Sequence, residues 1–226
     1  MNVLCASIKL GRKIGNLLSD LFFLCLQKPM LLMDNSNSIM IKGKLRNCRV
    51  MVQGKGNVIH IEKGVLLNKV IIEVSGSNNR VVLRKNVKMT EGGRIRIEDY
   101  NNIIEVQEDT ALINAFLSSA DINTIMKIGK KCLFSSDVII RTSDAHSILN
   151  GEGKRINKGC NVTIGDHTWI CNGTRVMKGT TIGSNCVIGS NTMIAGISTG
   201  DNVLVVGNPA RVVKTDINWS NIRIVE

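Results

Sequence analysis

Between Ile164 and Ile194 every sixth residue is a branched aliphatic: Ile164, Ile170, Val176, Ile182, Ile188 and Ile194. Four places after each stands a small residue, namely Thr168, Thr174, Thr180, Cys186, Thr192 and Ser198, and before most of these come His167, Gly173, Gly179, Asn185 and Asn191. Glycine and asparagine tolerate left-handed backbone angles, so this last column reads as a corner that recurs after each short strand. A period of six is neither helical nor strand-like, and a lone hexapeptide has no face wide enough to bury. The units must therefore stack, with aliphatic and small columns both pointing inward. The predicted fold class is all-β, a parallel β-helix of hexapeptide type.

A solenoid grows by adding coils around one core, so the 226 residues are read as one such domain. Its narrow interior suits Val, Ile and Leu better than rings, and aromatics make up only 3% of the sequence. Seven cysteines show no C-x-x-C spacing of the kind used by zinc sites or redox pairs. Cys132 and Cys186 fall in the small inward column and read as buried thiols, which fits a cytoplasmic location.

The boundaries predicted are an amphipathic helical segment over 1–30, the β-helix over 31–214 with a loop at 141–163, and a tail over 215–226. Leu10, Ile14, Leu17, Leu21 and Leu24 recur at helical spacing before Pro29. The apolar run 21–26 is too short to span a bilayer, so this segment is expected to cap the solenoid or to touch a membrane surface peripherally. Residues 1–56 carry nine Lys or Arg against Asp20 and Asp34, a net of +7 within a whole-chain charge of +11. Such a balance suits an acidic polymer or an anionic membrane. Nucleic acid is not expected, because no binding motif or aromatic platform accompanies the charge.

Upstream of the strict hexapeptides, segments beginning at Asn57, Asn79, Asn102 and Asn123 recur at intervals of 22, 23 and 21 residues. The asparagines are predicted to stack as a ladder at one turn of longer coils. The hexapeptide phase itself starts at Ile128, Phe134 and Ile140 and then lapses, with His146, Glu152 and Lys158 where aliphatics should stand. Residues 141–163 therefore read as a loop thrown out from the coil and docked back by Ile156 and Val162. Long loops in compact repeat arrays usually carry function.

His146 is the one histidine in that loop, and Asp144 stands beside it. An imidazole oriented by a carboxylate, or by loop backbone, can accept a proton from a hydroxyl. The chain's three histidines, 60, 146 and 167, are dispersed and form no metal set.

The segment 135–220 combines Asp144-x-His146, a glycine-bounded Ile-Asn stretch at 151–159, Ile164-Gly-Asp-His-Thr-Trp-Ile170 and Val206-Gly-Asn-Pro-Ala-Arg-Val-Val-Lys214. In this combination it resembles the hexapeptide-repeat acyltransferases. It is similar in style to the sialic-acid-polymer O-acetyltransferases of bacterial capsules, and more loosely to galactoside and maltose acetyltransferases. The resemblance implies a left-handed helix and a homotrimer with acetyl-CoA sites in grooves between subunits. His146 would be the catalytic base and Trp169 would lie against the acetyl end of the donor, with no metal. Asn172, Ser190 and Ala195 would line the pantetheine channel, and Arg211 and Lys214 would face the CoA phosphates. Cys171 stands where the family commonly has glycine, and 197–201 is shorter than the usual loop. The expected reaction is acetyl transfer to a hydroxyl of a cell-surface glycan. Transfer to an amino group of a nucleotide-linked sugar, and a non-catalytic scaffold, are the two alternatives.

Overall fold

The computed structural model describes residues 30–32 and 36–225, so the expected N-terminal helix lies outside the described residues. The chain winds as a three-sided coil whose sides build three sheets of eight, seven and nine strands. The first face runs through Arg49–Gln53, Val70–Ser75, Gly93–Ile97, Ala115–Ser119, Val138–Arg141, Arg175–Val176 and Met193–Ile194. Along it Ile139 pairs with Arg175, and Arg175 with Met193, both in parallel register. Strands on the other two faces stack in the same way, save that Arg211–Lys214 turns back antiparallel onto Leu204–Val206. The described residues contain no helix long and apolar enough to cross a membrane.

All six repeat aliphatics from Ile164 to Ile194 are buried, and so are Thr168, Thr174, Thr180, Cys186 and Thr192. Ser198 breaks the small column and is exposed. The corner column has left-handed backbone throughout, with φ between 49° at His167 and 73° at Gly179. The earlier phase is also real: Ile128, Phe134 and Ile140 point into the same core, with Phe134 as a fully buried ring.

Upstream coils are longer because their first-face strands are longer. Val70–Ser75 has six residues, alternating buried and half-buried, where Arg175–Val176 has two. The wider corner between the first and second faces is filled by the asparagine ladder. The backbone N–H of Asn79 donates to Asn57 Oδ1 (3.0 Å), that of Asn102 to Asn79 Oδ1 (2.9 Å) and that of Thr124 to Asn102 Oδ1 (2.7 Å). The rung after Asn102 is thus Thr124 and not Asn123, which is exposed and joins Asn78 and Asn101 in the neighbouring left-handed column. An asparagine suits both columns, for its amide bridges coils and its backbone tolerates αL, so sequence spacing alone does not separate them. Thr124 passes the ladder to Thr142 (Oγ1 to Oγ1, 2.9 Å), and at that point the loop leaves the coil.

Candidate active site

The loop leaves after Val138–Arg141 and rejoins at Val162–Ile164. Its outer part is a hairpin in which the Ile156 N–H donates to Ile148 O (2.9 Å) and the Asn150 N–H to Lys154 O (2.9 Å). Val162 is buried, as expected, but Ile156 is 62% exposed and docks nothing. Polar ties fix the loop instead. Arg155 grips Asp121 through both carboxylate oxygens, and Ser143 Oγ donates to the same carboxylate (2.9 Å). Lys178 Nζ, on the next coil, donates to Asp144 Oδ2 and to Asn157 O (3.0 Å). The Asn157 amide donates to Asp144 Oδ2 and to the His146 carbonyl, both at 2.8 Å, while its own oxygen accepts from the Ile148 N–H (2.8 Å).

This arrangement revises the part given to Asp144. Its carboxylate is taken by Lys178 and Asn157, and the structure gives it no bond to the His146 ring. Between them Ala145 has φ of 67°, unusual for alanine, with its N–H bonded to Ser143 Oγ (3.1 Å). Asp144 therefore anchors the turn, while the exposed His146 is held through its carbonyl. The Lys178 ammonium keeps the Asp144 carboxyl below the usual carboxylate range, against an opposing push from burial and with help from Asn157. Arg155 does the same for Asp121, where Ser143 adds to the effect. Lys178, Arg155 and Asp121 carry no local signal in the sequence. Asn157 does, since it stands in the Ile-Asn stretch.

Trp169 lies half-buried on the third face, with its indole N–H donating to Ser135 Oγ (3.2 Å). Beside it stands a ring from the 215–226 tail, a segment to which the sequence assigns no role. Ile217 N–H donates to Asn202 O (2.9 Å), which leads the tail back along the corner between the second and third faces. Trp219 then stacks on His167, with centroids 4.5 Å apart and planes at 11°, and tilts against Trp169 at 5.8 Å. Its indole N–H donates to the His167 carbonyl (2.7 Å). His167 has the corner backbone expected of it, and its Nδ1 meets Asn185 Oδ1 at 3.1 Å. The one signal for this contact is that Trp169 and Trp219 are the chain's two tryptophans.

The other expected donor contacts separate into groups. Asn172 and Ser190 follow one another up the corner between the third and first faces, where the Asn172 amide donates to Ser136 O (2.9 Å). Ala195 follows Met193–Ile194 at the corner between the first and second faces, which is the corner the loop leaves. Arg211 and Lys214 are exposed on the terminal antiparallel strand. Within one chain His146 and Trp169 thus stand on different sides of the prism. Burial lifts the thiols of Cys132 and Cys171 to about 11, which leaves them unreactive in the core.

Fold and repeat define a hexapeptide-repeat solenoid, and residues 161–196 match the family model described as bacterial transferase hexapeptide (six repeats). A polysialic acid O-acetyltransferase of Neisseria meningitidis is 31% identical over 139 residues, 52% of this chain and 64% of that protein; the match spans a little under two thirds of the relative. Two solved structures superpose over 87% of the chain. They are the polysialic acid O-acetyltransferase OatWY (TM-score 0.77, 25% identity, 92% of that chain) and the polySia-specific acetyltransferase NeuO (TM-score 0.76, 26% identity, 91% of that chain). In sequence and in fold the chain resembles the hexapeptide-repeat acetyltransferases, including those named for polysialic acid, and its fold is their left-handed parallel β-helix.

Proposed function

We propose that this chain is an O-acetyltransferase that moves the acetyl group of acetyl-CoA to a hydroxyl of an acidic cell-surface glycan. The observation that carries the reading is an exposed imidazole, His146, on a loop whose base is fixed by Asn157 and Lys178, in a chain that shares fold and sequence with polysialic acid O-acetyltransferases. The His146 imidazole takes the proton of the acceptor hydroxyl as that oxygen attacks the thioester carbonyl. The tetrahedral intermediate then collapses to the acetyl ester, and the departing sulfur receives the proton from the imidazolium.

The separation of His146 from Trp169 within one chain supports a site shared between subunits of a homotrimer. So does the hairpin, which exposes Ile148, Leu149 and Ile156 where an adjoining subunit can cover them. Trp169, Asn172, Ser190 and Ala195 would then contact the acetyl and pantetheine parts of the donor, and Arg211 and Lys214 its phosphates. A cytoplasmic site of action is supported by the five free cysteines among the described residues. The acidic character of the acceptor is supported by Lys42, Lys44, Lys63, Lys85 and Lys88, which line one groove along the third face.

The test is release of free CoA thiol from acetyl-CoA with a sialic acid polymer, followed by treatment of the product with mild base, which removes an ester and spares an amide. His146→Ala should lower turnover by about 10²- to 10⁴-fold while the melting temperature and donor affinity hold. A variant that works within a few-fold of the parent removes His146 from the mechanism. A base-stable product removes O-acetylation.

A further inference from the structure

On the third face the outward residues Lys44, Leu66, Lys88, Ala111, Leu133 and Trp169 follow one another from strand to strand in unbroken parallel register. Lys44, Leu66 and Lys88 line a groove of about 730 Å³ that also holds Lys42, Arg46, Lys63 and Lys85. None of its six cations has an ion-pair partner among the described residues. Ala111 and Leu133 line a second groove of about 370 Å³, bounded by Trp219, Lys131 and Asp109. The two grooves meet where Lys88 pairs with Ala111, one strand spacing of about 4.8 Å.

Trp219 is held more firmly than packing a surface tail requires. Its ring is stacked on His167, its N–H is spent on the His167 carbonyl, and the tail before it is tied to Asn202. The rest of the ring, still partly exposed, borders the second groove. An indole surface with a carboxylate, an ammonium, a hydroxyl and an amide around it, from Asp109, Lys131, Ser220 and Asn221, is matched to a pyranose. The sugar's C–H face meets the ring, and its hydroxyls meet the polar rim.

We propose that Trp219 and its groove are an acceptor subsite that holds one ring of an acidic glycan beside Trp169, while further carboxylates of the same polymer lie in the lysine groove. The proposal deepens the reading of the chain as a transferase to an acidic glycan and rests on it.

Binding is read without donor. In a Trp169→Phe protein Trp219 is the sole tryptophan, and a short oligosialic acid should change its emission saturably, whereas a maltooligosaccharide should not. In the otherwise unaltered chain Trp219→Ala should raise the acceptor KM roughly tenfold and leave the acetyl-CoA KM within about twofold, and Trp219→Phe, which keeps a ring, should recover most of the loss. Emission that answers CoA and not the sugar, or an acceptor KM indifferent to Trp219→Ala, overturns the subsite even if acetyl transfer is intact. An oligosaccharide that binds at Trp219 and is never acetylated overturns the transferase reading instead.

Discussion

Lys178 belongs to the strict hexapeptide block, yet its charge is spent on the loop: it reaches Asp144 and the Asn157 carbonyl across a coil boundary. Because the Asp144 pKa is depressed in the folded protein, the anchor contributes fully above the unfolded carboxylate value of about 3.9 and is lost as pH falls through the folded value. Asp121 with Arg155 has the same sign. Both anchors should therefore let go in acid together, before the apolar core does. Hydrogen exchange at the Ile148 amide, corrected for its intrinsic rate, should accelerate below about pH 4 while core strand amides such as Ile140 stay protected. Lys178→Ala should produce the same local loosening at neutral pH and lower kcat with little change in the donor KM, because the loop and not the donor groove is disturbed. Equal protection at Ile148 in parent and variant would show that Asn157 alone holds the base.

At the level of strands and coils, legibility followed the strength of the repeat. The hexapeptide block could be read residue by residue, since each unit presents the same inward aliphatic, small residue and left-handed corner, and all but Ser198 do so. The upstream coils are visible through their asparagines, but the spacing points to Asn123 where the rung is Thr124, because the two columns accept the same residue type. The loop's position was legible as a lapse in period. Its anchors are not, because Asp121 and Lys178 come from points of the sequence outside the loop and meet Arg155, Asp144 and Asn157 only once coils stack. The returning tail is illegible for a related reason: Trp219 has no periodic neighbour to mark where it will land. The ladder itself supports a prediction. The Asn79 side chain, itself buried, accepts from the buried Asn102 N–H and donates to the partly buried carbonyls of Asp99 (2.9 Å) and Ser75 (3.3 Å). Asn79→Ala removes all three bonds and leaves the buried Asn102 N–H without an acceptor, which alone costs about 1–3 kcal/mol. Equilibrium denaturation should show a loss of roughly 3 kcal/mol. Asn123→Ala, at a neighbouring exposed position, should cost under about 1 kcal/mol. Similar losses at both would mean that the ladder bonds are not what holds the wide corner. Nearby, Gly76 permits no side chain at all, since its φ is 102° and a Cβ would come within 1.8 Å of the Asp99 carbonyl oxygen.

The described residues form a prism whose third face carries at one end lysines with no ion-pair partner among those residues, and two tryptophans further along. Lys44 and Trp169 are five strand steps apart in one register column, about 24 Å at the usual spacing. That separation is about three Debye lengths at physiological salt, where screening acts over roughly 8 Å. A lysine at Lys44 therefore exerts almost no pull on a single sugar at Trp169, but it does act on a polymer long enough to reach it. The consequence is a length-dependent salt effect. Raising ionic strength should raise the KM for a long acidic polymer markedly, raise that for a disaccharide acceptor little, and leave the acetyl-CoA KM nearly unchanged. Replacing Lys44, Lys63 and Lys88 together by Gln should flatten the salt dependence for the polymer and bring its KM toward that of the short acceptor, with kcat retained because none of the three touches the reacting atoms. If neutral glycans serve as well as acidic ones, and salt moves no KM, the charge on this face acts on solubility alone and the acceptor is not held along it.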